Sequence, residues 1–292
     1  MIKRTLVTAL SLFMAYAGFG QQVTGKLKFE QGQTFEITLQ IKTTIAQEAG
    51  GQAIDFNVDA SGTHSYKVTN ATPDNTTLHH RVNAISFSFD GMGQKMNFNS
   101  AIEKDLNGSF GKPVKELLEK KYDLIIDSNG TALMAVPEKA ELTQADNRMA
   151  IITSMIKELT ELVQPPQKGK ASFFQVLPPG KPVEKGDAWT ETYQNTSGKF
   201  ETAYAITEVN DSVIVVDFAA KSVTVTKAEM MGSETITTLN NKSSGKIILD
   251  RTTGIMREKV INTDSNGNTE AVFGTLPVTS KTSTLITVKP VL

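Results

Sequence analysis

Apolar residues occupy every second position over long stretches of this chain. Phe35, Ile37, Leu39 and Ile41 do so, as do Ile54, Phe56 and Val58, and then Ile85, Phe87 and Phe89. A period of two sorts side chains onto the two faces of an extended strand, whereas a helix repeats every 3.6 residues. A chain patterned this way is committed to sheets with one apolar face. Its threonines agree: 35 of 292 residues are Thr, and branched Cβ atoms suit a pleated surface. There is no Cys, which removes disulfides, thiolate zinc sites and cysteine nucleophiles together and leaves the core to hold the fold alone. With 30 Lys+Arg against 31 Asp+Glu the net charge is -1, so the electrostatic footprint of a nucleic-acid binder is missing. The length allows one large domain or two of ordinary size.

Turn-forming pairs punctuate the alternation: Gly50-Gly51, Ser61-Gly62, Asp90-Gly91, Asn107-Gly108, Asn210-Asp211 and Asn266-Gly267. Closely spaced strands with short links predict an antiparallel meander. Residues 86–100 read as a hairpin with Phe87 and Phe89 on one arm, Met96 and Phe98 on the other, and 90–95 as its loop. A short helix is expected over 113–121, with Val114, Leu117 and Leu118 on its apolar face and Pro in the first turn. Strands follow at 122–126 and 131–136 around Asn129-Gly130, the dipeptide a type I′ turn prefers. Further strands are expected at 189–193, 202–209, 213–219, 223–227, 234–239, 246–249 and 284–288. Two of them form a weak repeat: 122–127 and 246–250 are apolar strands ending in Asp, with Gly130 and Gly254 close behind. The Asp can cap the turn and the Gly can take a positive φ.

One stretch has the other period. Met149, Ile152, Ile156, Leu159 and Val163 follow helical spacing, Ile151, Met155 and Leu162 widen the stripe, and Pro165-Pro166 ends it. Thr143 and Asp146 resemble a capping pair at its start. The expected fold is mainly β with one long helix: an antiparallel curved sheet or half-barrel, with two related β halves joined by the amphipathic helix. The expected divisions are a signal peptide at 1–20, an N-terminal β half at 21–141, the helix and linker at 142–170 and a C-terminal β half at 171–292.

The leader is read from Lys3 and Arg4, an uncharged run from Thr5 to Phe19, and small residues Ala15, Ala17, Gly18 and Gly20. That order describes a secretory signal peptide, and the run is too short to span a bilayer. Cleavage is expected after Gly20, or alternatively after Ala17. Removing the leader takes away two cations and leaves a net charge of -3. No Cys follows the run, so the expected product is exported to the periplasm or beyond, carries no lipid anchor and has no transmembrane segment.

Candidates for chemistry are few. The histidines are His64, His79 and His80. On a strand His79 and His80 point to opposite faces, so only one of them can meet His64 across neighbouring strands. Asp264, Asn266, Asn268 and Glu270 alternate like calcium ligands. However, Gly267 stands at the fourth position of that run, where a calcium loop places its Gly at the sixth, and a hairpin turn is the better reading. There is no Gly-x-Ser-x-Gly, no Walker loop and no Gly-x-Gly-x-x-Gly. No catalytic residue, metal ligand or cofactor is assigned. What remains is apolar surface. The hairpin residues Phe87, Phe89, Met96 and Phe98 and the helix residues Met149, Ile152, Met155, Ile156, Leu159 and Val163 either close into a solid core or line a cavity under a helical lid. Three readings follow: a non-enzymatic binder of an apolar or amphipathic small molecule, an envelope structural or assembly protein that uses strand edges or a surface patch on a protein partner, and a hydrolase with an acidic site of unfamiliar pattern.

The stretch 177–189 carries Leu177-Pro178, then Pro182-Val183, then Gly186-Asp187-x-Trp189. It resembles the signature of a family of exported β-rich proteins of unknown function from Bacteroidota-type bacteria. The resemblance implies a β-rich exported chain and no particular activity. A fainter likeness, of architecture only, is to half-barrels of the periplasmic lipoprotein-carrier type. In physical terms Gly186-Asp187 is a turn that delivers Trp189 into a strand, as a core plug or, less in keeping with a lone Trp, as a stacking surface for a ligand.

Overall fold

The alternation is realised as one antiparallel sheet of twelve strands. The computed structural model describes residues 22–49, 52–91, 93–108, 110–140, 157–195, 198–230, 233–272 and 274–291. The elements are β1 (Thr34–Ala49), β2 (Gln52–Ala71), β3 (Asn75–Gly91), β4 (Gln94–Asn99), α1 (Glu103–Leu106), α2 (Gly111–Glu119), β5 (Lys121–Asp127), β6 (Ala132–Val136), α3 (Lys157–Thr160) with a 3-10 turn at Glu161–Val163, β7 (Ala188–Asn195), β8 (Gly198–Val209), β9 (Val213–Met230), β10 (Ser233–Asp250), β11 (Met256–Ala271) and β12 (Gly274–Val291). The sheet order is β6-β5-β3-β2-β1-β12-β11-β10-β9-β8-β7, with β4 paired to β3 beside β5. The sheet is curved and stays open. Two meanders therefore meet where the first strand pairs with the last, Thr34 opposite Val291 and Gln47 opposite Val278.

Several boundaries differ from expectation, each for a physical reason. Ser61-Gly62 is not a turn but the middle of β2. A Cβ on Gly62 would lie 3.3 Å from Leu159 Cδ2, so the glycine makes room for a side chain crossing the sheet. Asn266-Gly267 likewise lies inside β11, and the chain reverses between Ala271 and Gly274 instead. The segments expected at 213–219 and 223–227 are one strand, as are those at 234–239 and 246–249. The polar residues between them carry the same backbone ladder as the apolar ones, because strand pairing is a main-chain property. The 86–100 hairpin is tighter than expected, with Gly91 paired to Gln94. At Asp127 the turn bond runs from Gly130 N to Asp127 O, 3.0 Å. Gly130 thus follows the turn as its positive-φ residue, φ 91°, rather than sitting inside a type I′ turn. Of the expected long helix, residues 143–156 lie outside the described residues. Its end is α3 and the 3-10 turn, closed by Gln164, whose side chain bonds both Ala140 N and Ala140 O.

Both Asp-Gly turns behave as the repeat implied. Asp127 Oδ1 accepts from Asn129 N and Thr131 N, and Asp250 Oδ1 accepts from Thr253 N and its hydroxyl. The structure adds what the repeat serves. Leu27 N donates to Ser128 O in one turn and Lys28 N to Thr253 O in the other. A Cβ on Gly254 would meet Lys26 O at 2.7 Å. The segment 22–33 is thus a strap laid across both turns, and Val23 pairs with Val183 at its start. Under the strap the inner face of the sheet is closed by edge-to-face contacts among Phe29, Phe35 and Phe174 at 5.3–6.1 Å, with Tyr66 and Phe173 beside them.

Candidate functional site

The register of the strands fixes what the inner face presents. One row across the sheet reads Met96, Phe89, Val58, Thr43, Thr282, Thr263, Ser243, Ala220, Thr202, Glu191. It is apolar on β4, β3 and β2 and turns to hydroxyls on β1, β12, β11 and β10. The hydroxyls bond each other across strands: Thr43 to Thr282 at 3.0 Å, Ser243 to Thr263 at 2.8 Å and, further along, Thr237 to Thr269 at 2.9 Å. Asn241 Nδ2 donates to Ser222 and Thr224. These bonds lower the cost of covering the polar groups with something less polar than water. The outer face carries a charged row instead, with Glu201, Lys221, Lys242, Asp264 and Lys281 in register. A shallow groove of about 320 Å³ runs along it past Lys199, Lys221 and Lys242.

Below the mixed row, α3 and its 3-10 turn lie on a buried polar cluster. His64 and His80 are both 0% exposed. His64 Nε2 is 2.9 Å from Leu159 O, and His64 Nδ1 is 3.1 Å from His80 Nε2. A carbonyl only accepts, so His64 carries its proton on Nε2 and its Nδ1 accepts from His80 Nε2–H. Among the described residues His80 Nδ1 is then a bare, buried acceptor with no hydrogen-bond partner. A second chain runs in parallel. Tyr66 and Tyr122 hydroxyls are 2.8 Å apart, and Tyr122 donates to Leu162 O at 2.9 Å. Helix-end carbonyls need outside donors, and here β2 and β5 supply them. Burial lowers His64 to about 4 against the opposing bond to Leu159. Burial and then the neighbouring histidines lower His80 to about 2. Burial raises Tyr122. All four groups are neutral at any ordinary pH. They form an uncharged clamp, with the chemistry of positioning rather than of proton transfer.

The ten residues expected to line a cavity divide three ways. Phe87 and Phe98 stack at 5.1 Å and are buried. Phe110, at the start of α2, packs edge-on to Phe87 at 5.9 Å, so the short helix lies against this hairpin. Phe89 and Met96 are half-buried in the mixed row. Leu159 and Val163 are buried, Leu159 over Gly62. Met149, Ile152, Met155 and Ile156 lie outside the described residues. His79 does point away from His80, to Asp123 at 2.7 Å. Among the described residues no three His, Asp, Glu or Cys side chains gather as a metal site. Tyr66 and Tyr122 were not singled out from sequence, although both occupy inner-face positions of alternating strands.

The 177–189 stretch crosses from one meander to the other. Leu177 is buried and sits against Gly25 of the strap. Gly186 takes φ 97° and donates to Ile206 O, while Asp187 Oδ2 accepts from Glu184 N. Trp189 is not a central plug. It belongs to the edge strand β7, half-buried, and stacks on Tyr204 at 5.0 Å.

The molecule is thus an open, strongly curved antiparallel sheet strapped at one end. The chain belongs to DUF6263, a family of unknown function, whose match covers residues 73–256. That span runs from the start of β3 to the first residue of β11. No curated protein matches it. A solved structure of lipovitellin, concerned with that protein's lipid–protein interactions, aligns with a TM-score of 0.45 and 11% identity over 90% of this chain and 26% of its own. This chain spans about a quarter of the length of that one.

Proposed function

We propose that this is an exported, non-enzymatic protein that binds an amphipathic small molecule on the inner face of its sheet, above the strap and α3. The supporting observation is the mixed row. Along one row half-buried Met96 and Phe89 offer apolar area next to the buried Val58, and Thr43, Thr282, Thr263 and Ser243 continue it with hydroxyls already paired to one another. An acyl or similar chain fits the first part and its polar end the second, which is the usual composition of ligand sites: mostly apolar, with a few placed polar groups. Export is supported by Lys3, Arg4 and the apolar run behind them. The test is saturable binding of dansyl-labelled undecanoate to the mature protein. Phe89→Glu is expected to weaken binding about tenfold or more, since losing one apolar contact area of this size is worth at least 1.4 kcal/mol. The outer-face variant Lys242→Glu is expected to bind normally. Absence of binding at tens of micromolar overturns the proposal.

A further inference from the structure

The two edges of the sheet are finished differently. At β6 the outer edge is occupied at its start: Ala132 N donates to Lys170 O and Gly169 N to Ala132 O, both 2.8 Å, and Thr131 bridges Ala171. The strand is five residues long. At the other end β7 is eight residues long, pairs with β8 in unbroken register from Ala188–Ala205 to Asn195–Gly198, and among the described residues has no strand paired on its far side. Proteins usually blunt such an edge with charged residues, a proline or a bulge. β7 has the sequence AWTETYQN, with neither proline nor bulge and a single charge, Glu191.

Its orientation can be worked out. Ile206 N donates to Asp187 O, so the odd residues of β7 turn their main-chain groups towards β8. By antiparallel alternation Thr190, Thr192 and Gln194 turn theirs outward. The side chains of Trp189, Glu191 and Tyr193 share the inner face, in the positions where an added strand would stand closest, because non-hydrogen-bonded pairs bring side chains nearest. Trp189 is backed by Tyr204 at 5.0 Å and Tyr193 by Phe200 at 4.5 Å, both near parallel. The stacked neighbours fix one face of each ring; Tyr193 is exposed, whereas Trp189 is half-buried with its Nε1 buried. Glu191 lies between them and is exposed. Its charge contributes to raising Tyr204 to about 12, after burial, and Glu161 does the same for Tyr193. The nearest lysine of the pair of strands, Lys199, stands opposite Gln194 on the other face. The edge therefore offers a row of free backbone groups, two aromatic faces and a carboxylate.

We propose that β7 takes up an extended segment of a partner protein by strand addition, and that the segment carries Arg or Lys at alternate positions facing Trp189, Glu191 and Tyr193. Main-chain bonds supply the affinity and the alternate pockets the selectivity. Cations suit this row because each aromatic face attracts them and Glu191 pairs with the central one. A second copy of the chain is a poor occupant. The two-fold register that sets Trp189 against Tyr193 also sets Glu191 against Glu191, and like charges directly opposite are destabilising. This site uses the far end of the same inner face, with none of the residues from Met96 to Ser243 that support the ligand site, and either proposal can fail without the other.

The experiment uses ten-residue peptides alternating Thr with Arg or Thr with Glu. Trp189 is the only Trp, so its fluorescence reports from the site itself. The Arg peptide is expected to bind saturably, to weaken as salt rises, and to bind about tenfold or more tightly than the Glu peptide. Thr192→Pro deletes an outward N–H that the sheet does not use, and edge strands tolerate proline. That variant is expected to keep its melting temperature and lose the peptide. Glu191→Lys is expected to remove the preference for Arg. Should Thr192→Pro fail to fold, hydrogen exchange on the native protein replaces it: the Arg peptide should slow the amides of Thr190, Thr192 and Gln194. Equal binding of the two peptides, undiminished binding by folded Thr192→Pro, unprotected β7 amides, or a concentration-dependent dimer that the peptide does not dissociate each overturns the proposal.

Discussion

Acidification should destabilise this protein well before its carboxylates titrate. A free histidine titrates near 6.5, whereas burial holds His64 at about 4 and His80 at about 2. The native state thus stays neutral at both sites while the unfolded chain takes up two protons. Stability falls wherever the unfolded state binds more protons, so it declines as pH drops below 6.5 and continues to fall until each folded pKa is reached. Between pH 7.5 and pH 5 the loss is about 2 kcal/mol per histidine, or about 4 kcal/mol in all, from 1.4 kcal/mol per pH unit. Against a total of about 5–15 kcal/mol for an ordinary domain, that is a large share. The measurement is urea unfolding at half-unit steps from pH 7.5 to 5, followed by circular dichroism. His64→Gln and His80→Phe should each cut the slope by about half, and the double variant should be nearly flat. A wild-type stability that does not change over this range would mean that the two imidazoles are hydrated or charged in the native state, and the tautomer chain drawn from Leu159 would be wrong.

Other substitutions address the remaining contacts. Gly62→Val places a branched side chain where Leu159 lies 3.3 Å away, and should destabilise by about 1–3 kcal/mol in thermal melts. Tyr122→Phe leaves Leu162 O without its donor and Tyr66 without its acceptor, for a loss of about 1–3 kcal/mol in chemical denaturation. Gly254→Ala must adopt φ 71° and meet Lys26 O at 2.7 Å. It should cost about 1–3 kcal/mol and make residues 22–33 an early target of limited proteolysis. Intact-mass measurement on exported protein should give a chain starting at Gln21 or Gly18, and retention of Met1 would count against export.

Much of the fold was legible because strand burial has a strict period. Phe35, Ile37, Leu39 and Ile41 are all buried on the inner face, as their spacing required. The Asp-Gly turns were legible for a similar reason: a capping side chain and a positive φ need particular residues at particular offsets. Glycine inside a strand was misleading, because the same residue serves a turn and a close approach. At Gly62 only the later position of Leu159, far away in sequence, decides between them. The histidine cluster was half legible. Parity separates His79 from His80, but pairing His80 with His64 requires the β2–β3 register, which bulges between Thr63 and His64. The sheet edge was not legible at all. AWTETYQN reads as an ordinary strand, and its exposure follows from which strands pair with which, a fact that no local pattern contains.

The pairing of β1 with β12 joins residues from 231 positions apart, Gln47 with Val278, to 257 apart, Thr34 with Val291. The seam can form only after the last strand has left the ribosome and, if the protein is exported, crossed the membrane. Until then each meander exists as a separate sheet with a bare flank, β1 on one and β12 on the other. Contacts so distant in sequence form slowly, and unpaired flanks invite pairing with whatever strand arrives first. The seam is therefore a kinetic hazard as well as a structural one. A chain without β12 would keep most of its apolar strands and lose the one that brings the two meanders together, leaving two sticky half-sheets in place of a weakened whole.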